Sequence, residues 1–406
     1  MSENLFAEFE IPSRQAWENA LRKELKDKSL EELMQTDEEG LRLSPISDAS
    51  DVVPGFADML SERSAGWVTV QDYDASLGSD ELSCRLPLDL KQGLNAVQVW
   101  ATSLDHFNSI RQSISVAQVH TLFLRRLESS TSLSDLDPKT RIGYDPLALS
   151  AVGLTLAERL RQDLEPLAKL CATHQPVLLG HLWAEVGCNL VEQCVYALSS
   201  IRFLLTNQFL STRTVGLTVG VGRRLIPEVA KLRALRLVWY RLQAQGSVPQ
   251  GLELEIHARS LSWHLTPAFP HNNLVRLNLQ GLAAVLGGTD SLSLLPYDWA
   301  TAASGSDHAR RMSLNLQHLM REESHLDRVV DPLGGSFVVE RLTQEYVRLI
   351  EDGMDSIAEN GDLLHQLADG QLRQQIAGAN ARQLERMETG MIKYVEVNHL
   401  RTRGAE

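Results

Sequence analysis

The sequence predicts an α/β fold of repeated βα units around a parallel sheet, and two observations carry that expectation. From about residue 66 onward, short apolar or alternating runs take turns with longer runs of 3.6 periodicity. Strands buried on both faces and joined by crossover helices are written in this way. The chain also has 406 residues, 43% of them hydrophobic and 22% charged, enough to enclose one large core. Periodicity alone fits a closed barrel and a doubly wound open sheet equally well.

The elements follow in order. Ser13 opens the helical text RQAWENALRKELKD, and Ser29 with Glu32 makes a capping-box pattern before Leu33. Trp17, Leu21 and Leu25 recur every four residues, a stripe too narrow to enclose a core but suited to lying on another surface, a partner's or the chain's own. The stretch Leu43–Ala57, rich in Ser, Asp and Pro, reads as a connection. Candidate strands are Gly66–Val70, Ala96–Thr102, Val177–Gly180, Thr214–Val219 and Leu252–Ala258. Candidate helices are Leu154–Leu170, Val186–Leu205, Ile226–Gln243, Asn272–Leu286 and Asp307–Glu323. After Thr343 the text is wholly helical, with a stop at Asn360-Gly361, so two packed C-terminal helices are expected. This divides the chain into an arm (1–50), the βα region (51–345) and C-terminal helices (346–406).

A formal net charge of −13 opposes binding to nucleic acid or an anionic membrane surface, and leaves a small molecule or a protein as the default partner. No apolar run approaches the roughly 18 residues of a membrane helix, and the acidic N-terminus is unlike a leader, so a cytoplasmic location is expected. Cys84, Cys171, Cys188 and Cys194 form no C-x-x-C pair; they read as buried free thiols rather than metal ligands.

Three segments resemble the barrel region of the methylmalonyl-CoA mutase family: KLRALRLVW (231–239), HNNLVRLNLQGLAAVLGGTDSL (271–292) and NLQHLMREESHLDRVVDPLGGSFVVERLT (315–343). The opening residues and GYDPLALSA (143–151) are similar to the family's small subunit. The resemblance implies a TIM (β/α)8 barrel with an N-terminal helical arm and C-terminal helices. In active relatives a CoA ester threads such a barrel and cobalamin covers its mouth. Read physically, Asp331-Pro332-Leu333-Gly334-Gly335-Ser336 specifies a rigid turn. Gly287-Gly288-Thr289 suits either a helix C-cap before a strand or a close backbone approach to ligand.

The same resemblance exposes departures at the site. The family's cobalt ligand is the His of a D-x-H-x-x-G motif on a further domain, and none of the twelve histidines here follows an Asp by two positions. The text runs out at 395–406, where the resemblance expects a linker into that domain. The family's G-Y-H-x-x-E-x-G segment reads Gly180-His181-Leu182-Trp183-Ala184-Glu185-Val186-Gly187, placing Leu182 at the catalytic His position. Leucine offers neither proton nor dipole. The H-x-Q motif facing the ligands reads His257-Ala258-Arg259, and a glutamate that meets the nucleoside falls on Trp299, so both cofactor-facing positions carry larger side chains. His257, Arg233, Arg236 and Tyr73 match positions near substrate in active members. The plainer readings are a satisfied strand-end histidine for His257 and helix-surface ion pairs for the arginines.

The expectation is therefore a non-catalytic small subunit, inactive alone and binding no cofactor, that supports a large catalytic mutase subunit carrying adenosylcobalamin in a heterodimer. Two alternatives stay open: a barrel that uses a separate cobalamin-binding subunit, and a regulatory module that binds an acyl-CoA ester.

Overall fold

Helix α1 (Arg14–Leu25) begins where Ser13 accepts a hydrogen bond from the Ala16 N–H. It opens the computed structural model, which describes residues 13–26, 29–44, 46–49, 65–110, 119–127, 136–302, 305–395 and 397–400. Expectations resting on residues 1–12, 50–57 and 401–406 lie outside the described residues. The stripe of α1 forms as its spacing predicts, yet none of the helix's residues is buried: Trp17, Leu21 and Leu25 are half-exposed. A short antiparallel hairpin of β1 (Gln35–Thr36) and β2 (Arg42–Leu43) follows.

Eight parallel strands then close a barrel. Its first half is β3 (Val68–Asp74), α2 (Gly78–Lys91), β4 (Ala96–Ala101), α3 (Leu104–Ile110), β5 (Val119–Leu124), β6 (Arg141–Gly143), α4 (Pro146–Ala151) and α5 (Leu160–Cys171). The second half is β7 (Pro176–Leu178), α6 (His181–Glu185), α7 (Leu190–Thr206), β8 (Thr214–Val221), α8 (Leu225–Ala244), β9 (Glu253–Ser260), α9 (Asn272–Leu286), β10 (Ser291–Ser293) and α10 (Asp307–His318). Closure is made by β10, which pairs with β9 on one side and with β3 on the other. The (β/α)8 barrel is thus the architecture, and the open sheet is excluded.

Helix α9 has the bounds its periodicity predicts, whereas other elements differ for identifiable reasons. β5, β6 and β10 are absent from the candidate strands: β6 and β10, with three residues each, are too short to display a period, whereas the equally short β7 is marked only by its apolar run and the six-residue β5 is not picked out. The run Val186–Leu205 is not one helix: Gly187 takes φ 95°, and Asn189 with Glu192 opens α7 as a fresh capping box. Beyond His318 the helix widens into a π turn over Leu319–Glu323. The C-terminal text makes three helices rather than two, α11 (Phe337–Glu359), α12 (Asp362–Ala368) and α13 (Gln371–Glu388), since Gly370 as well as Gly361 adopts a left-handed conformation.

One face of α11, carrying Val339, Leu342, Tyr346, Val347, Ile350, Met354 and Ile357, is buried at the spacing of a single helix stripe. Each such side chain contributes about 1.5–3 kcal/mol of hydrophobic stabilisation. α11 packs on α8 and α7, so α8 is covered on the side that a barrel helix usually turns to solvent. That cover matters for every charge on α8.

The hairpin is clasped to the same assembly. Glu39, with a side chain 1% exposed, meets Arg224 at 2.5 Å and accepts the Leu190 N–H. Glu38 pairs with Arg223, its carbonyl accepts from Arg386, and Asp37 accepts the Tyr346 hydroxyl. The arm is therefore split: residues 35–43 belong to the barrel's surface, whereas no residue of α1 is buried.

Candidate functional site at the barrel mouth

The C-terminal ends of the strands surround a cavity of about 200 Å³, the end of a (β/α)8 barrel where ligand sites are built. Along β9 the side chains alternate, so His257 and Arg259 face the lumen while Ile256 and Ala258 pack outward. Arg259 reaches across the mouth to Asp72 at the end of β3 (Nε to Oδ2, 2.8 Å) and to Glu185 on α6 (Nη1 to Oε1, 3.4 Å). Its guanidinium also lies over two indoles, 5.4 Å from the Trp100 ring and 6.0 Å from that of Trp299. Glu185 is held in turn by the backbone N–H and the hydroxyl of Ser262. Leu182 contributes an aliphatic wall to the same cavity. Arg259, Trp299 and Leu182 thus come together, as their sequence positions imply.

Beneath them the lumen is filled. Phe123 stacks on Trp100 with centroids 4.1 Å apart, and Gly143, opposite it on β6, is glycine of necessity: a Cβ there would sit 2.0 Å from the phenyl ring. His257 places Nδ1 2.8 Å from the Ser291 hydroxyl and Nε2 3.0 Å from that of Ser293, so both ring nitrogens are engaged. His181 is 2% exposed; its Nδ1 lies 2.6 Å from the Thr218 hydroxyl and its ring meets Trp100 edge-on. At the far end of the lumen, Arg141 and Glu255 close the axis with a 2.6 Å ion pair.

The remaining predicted residues lie elsewhere. Tyr73 points out of the barrel, its hydroxyl donating to Asp89 on α2 and its ring 4.4 Å beneath the Arg310 guanidinium. Its neighbour Asp72 takes the inward position, which the alternation of a strand requires. Arg233 and Arg236 sit at the opposite end. Arg233 pairs with Asp331 (2.9 Å) and Glu340 (2.6 Å); Arg236 pairs with Asp290 (2.6 Å) and donates to the carbonyls of Leu254 and Gly288. The Arg233 pairs are buried, not the surface pairs the sequence suggests, because α11 covers α8, whereas Arg236 is itself buried but meets an Asp290 side chain that is 36% exposed. The turn at 331–336 has Asp331 at φ 46° and Gly335 at φ 83°, a geometry that delivers Asp331 to Arg233. Gly287-Gly288-Thr289 ends α9, and the Thr289 hydroxyl fixes the entry to β10 by bonding the carbonyls of Ile256 and Ser291.

Cys171, Cys188 and Cys194 are buried thiols whose pKa is pushed up by desolvation, to about 12 for Cys171 and Cys194; Cys84, by contrast, is exposed. Among the described residues no cluster of three His, Cys, Asp or Glu side chains could hold a metal, and no helix is long and apolar enough to cross a membrane.

Burial, reinforced by nearby arginines, drives three imidazoles to the neutral form: His257 and His264 fall to about 3, and His181 lies well below its ordinary value. The unfolded chain protonates these rings near pH 6.5, whereas in the native chain His257 and His264 resist down to about 3. Stability present above about pH 6.5 is therefore lost as pH falls through that window, at up to about 1.4 kcal/mol per pH unit per histidine. Asp145 and Glu39, whose carboxyls burial pushes up, oppose this at the acid end. Urea midpoints are expected to fall steeply between about pH 7 and pH 5, less so in His257→Asn. A flat profile contradicts the assignment of neutral buried rings.

The sequence pattern of the family described as "Methylmalonyl-CoA mutase" matches residues 183–406. The chain belongs to this family. It is 31% identical over 233 residues to methylmalonyl-CoA mutase of Escherichia coli (strain K12), a stretch covering 54% of this chain and 32% of that protein. To the probable methylmalonyl-CoA mutase large subunit of Mycobacterium tuberculosis (strain ATCC 25618 / H37Rv) it is 35% identical over 181 residues, 44% of this chain and 24% of the relative. The mitochondrial methylmalonyl-CoA mutase of Bos taurus gives 33% over 182 residues, again 44% and 24%. The matched stretch thus spans about a third or less of these mutases. Of the mouth residues, Glu185, Arg259 and Trp299 fall within the family match, whereas Asp72, Trp100 and Leu182 precede it.

Proposed function

We propose that this chain is a non-catalytic, small-subunit-type barrel that supports a large catalytic mutase subunit, the latter carrying adenosylcobalamin and interconverting methylmalonyl-CoA and succinyl-CoA. The observation behind this reading is the self-neutralised mouth. Arg259, locked between Asp72 and Glu185 and flanked by Trp100 and Trp299, occupies the space a ligand would use, and Leu182 stands beside it without a proton to give. The mouth does not fit the cofactor either: His257 has both nitrogens engaged and so offers no free imidazole to cobalt, and His181, in the cavity wall, is 2% exposed with its Nδ1 on the Thr218 hydroxyl. Below, Phe123 and the Arg141–Glu255 pair obstruct the axis along which a pantetheine chain would run. The unburied stripe of α1 supplies the reading's partner surface: an indole flanked by leucines is the composition of an interface anchor.

The test uses the purified chain alone. Absorbance titration with adenosylcobalamin should show no binding at micromolar concentration, and methylmalonyl-CoA should not be isomerised. Co-expressed with a large mutase subunit, the chain should co-purify with it. Cobalamin binding or turnover by the isolated chain would overturn the proposal, and turnover that appears only when a separate cobalamin-binding protein is added would overturn it in favour of a barrel served by such a subunit.

A further inference from the structure

We infer that the strap beyond α13 governs the ion lock at the barrel mouth, and that Tyr394 is the residue through which it does so. The strap comprises residues 391–395 and 397–400. Strap and mouth meet at the single 3₁₀ turn Ser262–His264, which follows β9.

This turn is a partition. Ser262 lines the mouth, where its N–H and hydroxyl hold the Glu185 carboxylate, and Glu185 in turn holds Arg259. His264 lines a void of about 40 Å³ on the other side, together with Trp263, Glu38, Arg223 and Arg224. There its Nδ1 lies 2.6 Å from the Tyr394 hydroxyl, and the two rings stack 27° from parallel. Three residues thus carry the lock on one side and the strap's anchor on the other. The Leu261 N–H is fixed by the Gln280 side chain and that of Thr266 by Asn273, so the segment is pinned on both flanks and its middle is placed by the contacts of Ser262 and His264. A close-packed interior would forbid the turn to shift, but the void gives it room.

Tyr394 is built as an anchor. It is 3% exposed, and Arg223 and Arg276 each hold a guanidinium 5.6 Å from its ring centre. Asn398 folds the strap back on itself, accepting the Tyr394 N–H and donating to the carbonyls of Met387 and Ile392. The hairpin supports the same anchor, because Glu38 pairs with Arg223. Loss of Tyr394 takes the hydroxyl from His264 and lets the turn move into the void. Ser262 then withdraws from Glu185, whose carboxylate is aimed at Arg259 by those two donors. Arg259 keeps Asp72, its closer partner at 2.8 Å, and swings toward β3 and away from α6. The mouth therefore has a closed and an open state, and the strap biases the choice between them. The inference concerns the lock alone and stands whether or not the chain serves a mutase subunit.

The full chain is labelled with 5-fluorotryptophan and followed by ¹⁹F NMR, because Arg259 lies over the indoles of Trp100 and Trp299. Trp100→Phe and Trp299→Phe assign the two resonances, and Glu185→Gln, which unlocks Arg259 directly, sets their open-state positions. Tyr394→Ala is expected to speed amide hydrogen exchange in the strap by roughly tenfold or more. It should also move both resonances toward the open-state positions while Trp239, at the opposite end of the barrel against Leu252, stays in place. Tyr394→Phe keeps the ring, loses the hydroxyl and should move both part way. Strap exchange that rises while both resonances stay put overturns the inference, as does strap exchange that Tyr394→Ala leaves unchanged. Where Tyr394→Ala displaces Trp239 as well, and so disturbs the fold at large, Tyr394→Phe decides alone, and resonances unmoved by it overturn the inference.

Discussion

Removing residues 1–45 should abolish cooperative unfolding near the original midpoint, whereas removing 1–28 should leave the barrel's stability unchanged and cost only association with the mutase partner. The longer deletion strips Glu38 and Glu39 from Arg223 and Arg224. What remains leans to positive charge, since Arg276 and Arg386 lie in the same neighbourhood around His264 and the hairpin, while Lys231 is already matched by Glu228. Removing one member of a buried ion pair typically costs about 3–5 kcal/mol because the other is left uncompensated. The Glu39–Arg224 pair is of this kind, whereas Glu38 and Arg223 are each about a quarter exposed and add less, so the loss comes near the lower end of the roughly 5–15 kcal/mol stability of a domain. The shorter deletion removes α1, none of whose residues is buried. Denaturant midpoints and pull-down of a large mutase subunit separate the two deletions. Equal midpoints for both deletions would show that the hairpin is dispensable, and retained association after deleting 1–28 would remove α1 from the interface.

Gly143→Ala is expected to destabilise the barrel by about 3 kcal/mol, at the upper end of core overpacking. The added methyl would lie 2.0 Å from Phe123, and the ring has no easy retreat because its other face is stacked on Trp100. The decisive measurement is a double-mutant cycle. Phe123→Leu alone should cost a few kcal/mol by leaving a cavity. Combined with Gly143→Ala, it should cost less than the sum, because the methyl occupies part of the vacated space. Additive effects would mean that the two positions do not share the plug.

How much of this was legible in the sequence depended on the length scale of each feature. α9 could be delimited because fifteen residues display several turns of a period. β10, three residues long, could not, although it closes the barrel. The convergence of Leu182, Arg259 and Trp299 followed from the family resemblance, but the carboxylates that neutralise Arg259 did not. Asp72 and Glu185 lie far from Arg259 in sequence, and only closure of the barrel brings them together. Arg233 looks like a surface charge in the sequence because a helix's own pattern does not reveal what later covers it. For Tyr73 a missing cue existed: a strand shows alternate faces, so assigning Asp72 to the lumen fixes its neighbour outside. The clasp gave no local signal, since the run Asp37-Glu38-Glu39 looks like any solvated acidic turn.

The clasp also sets an order of events during synthesis. The Glu38 carbonyl waits for Arg386, 348 residues further along the chain. At ribosomal rates of about 5–20 residues per second, that interval is roughly 20–70 s. Strand β3 waits about two-thirds as long for β10, its barrel neighbour, from Val68 to Ser291. For that period the nascent chain displays an unpaired strand edge and an acidic hairpin whose arginine partners are still being made. Chaperone engagement should therefore be concentrated before α13 emerges and end abruptly after it.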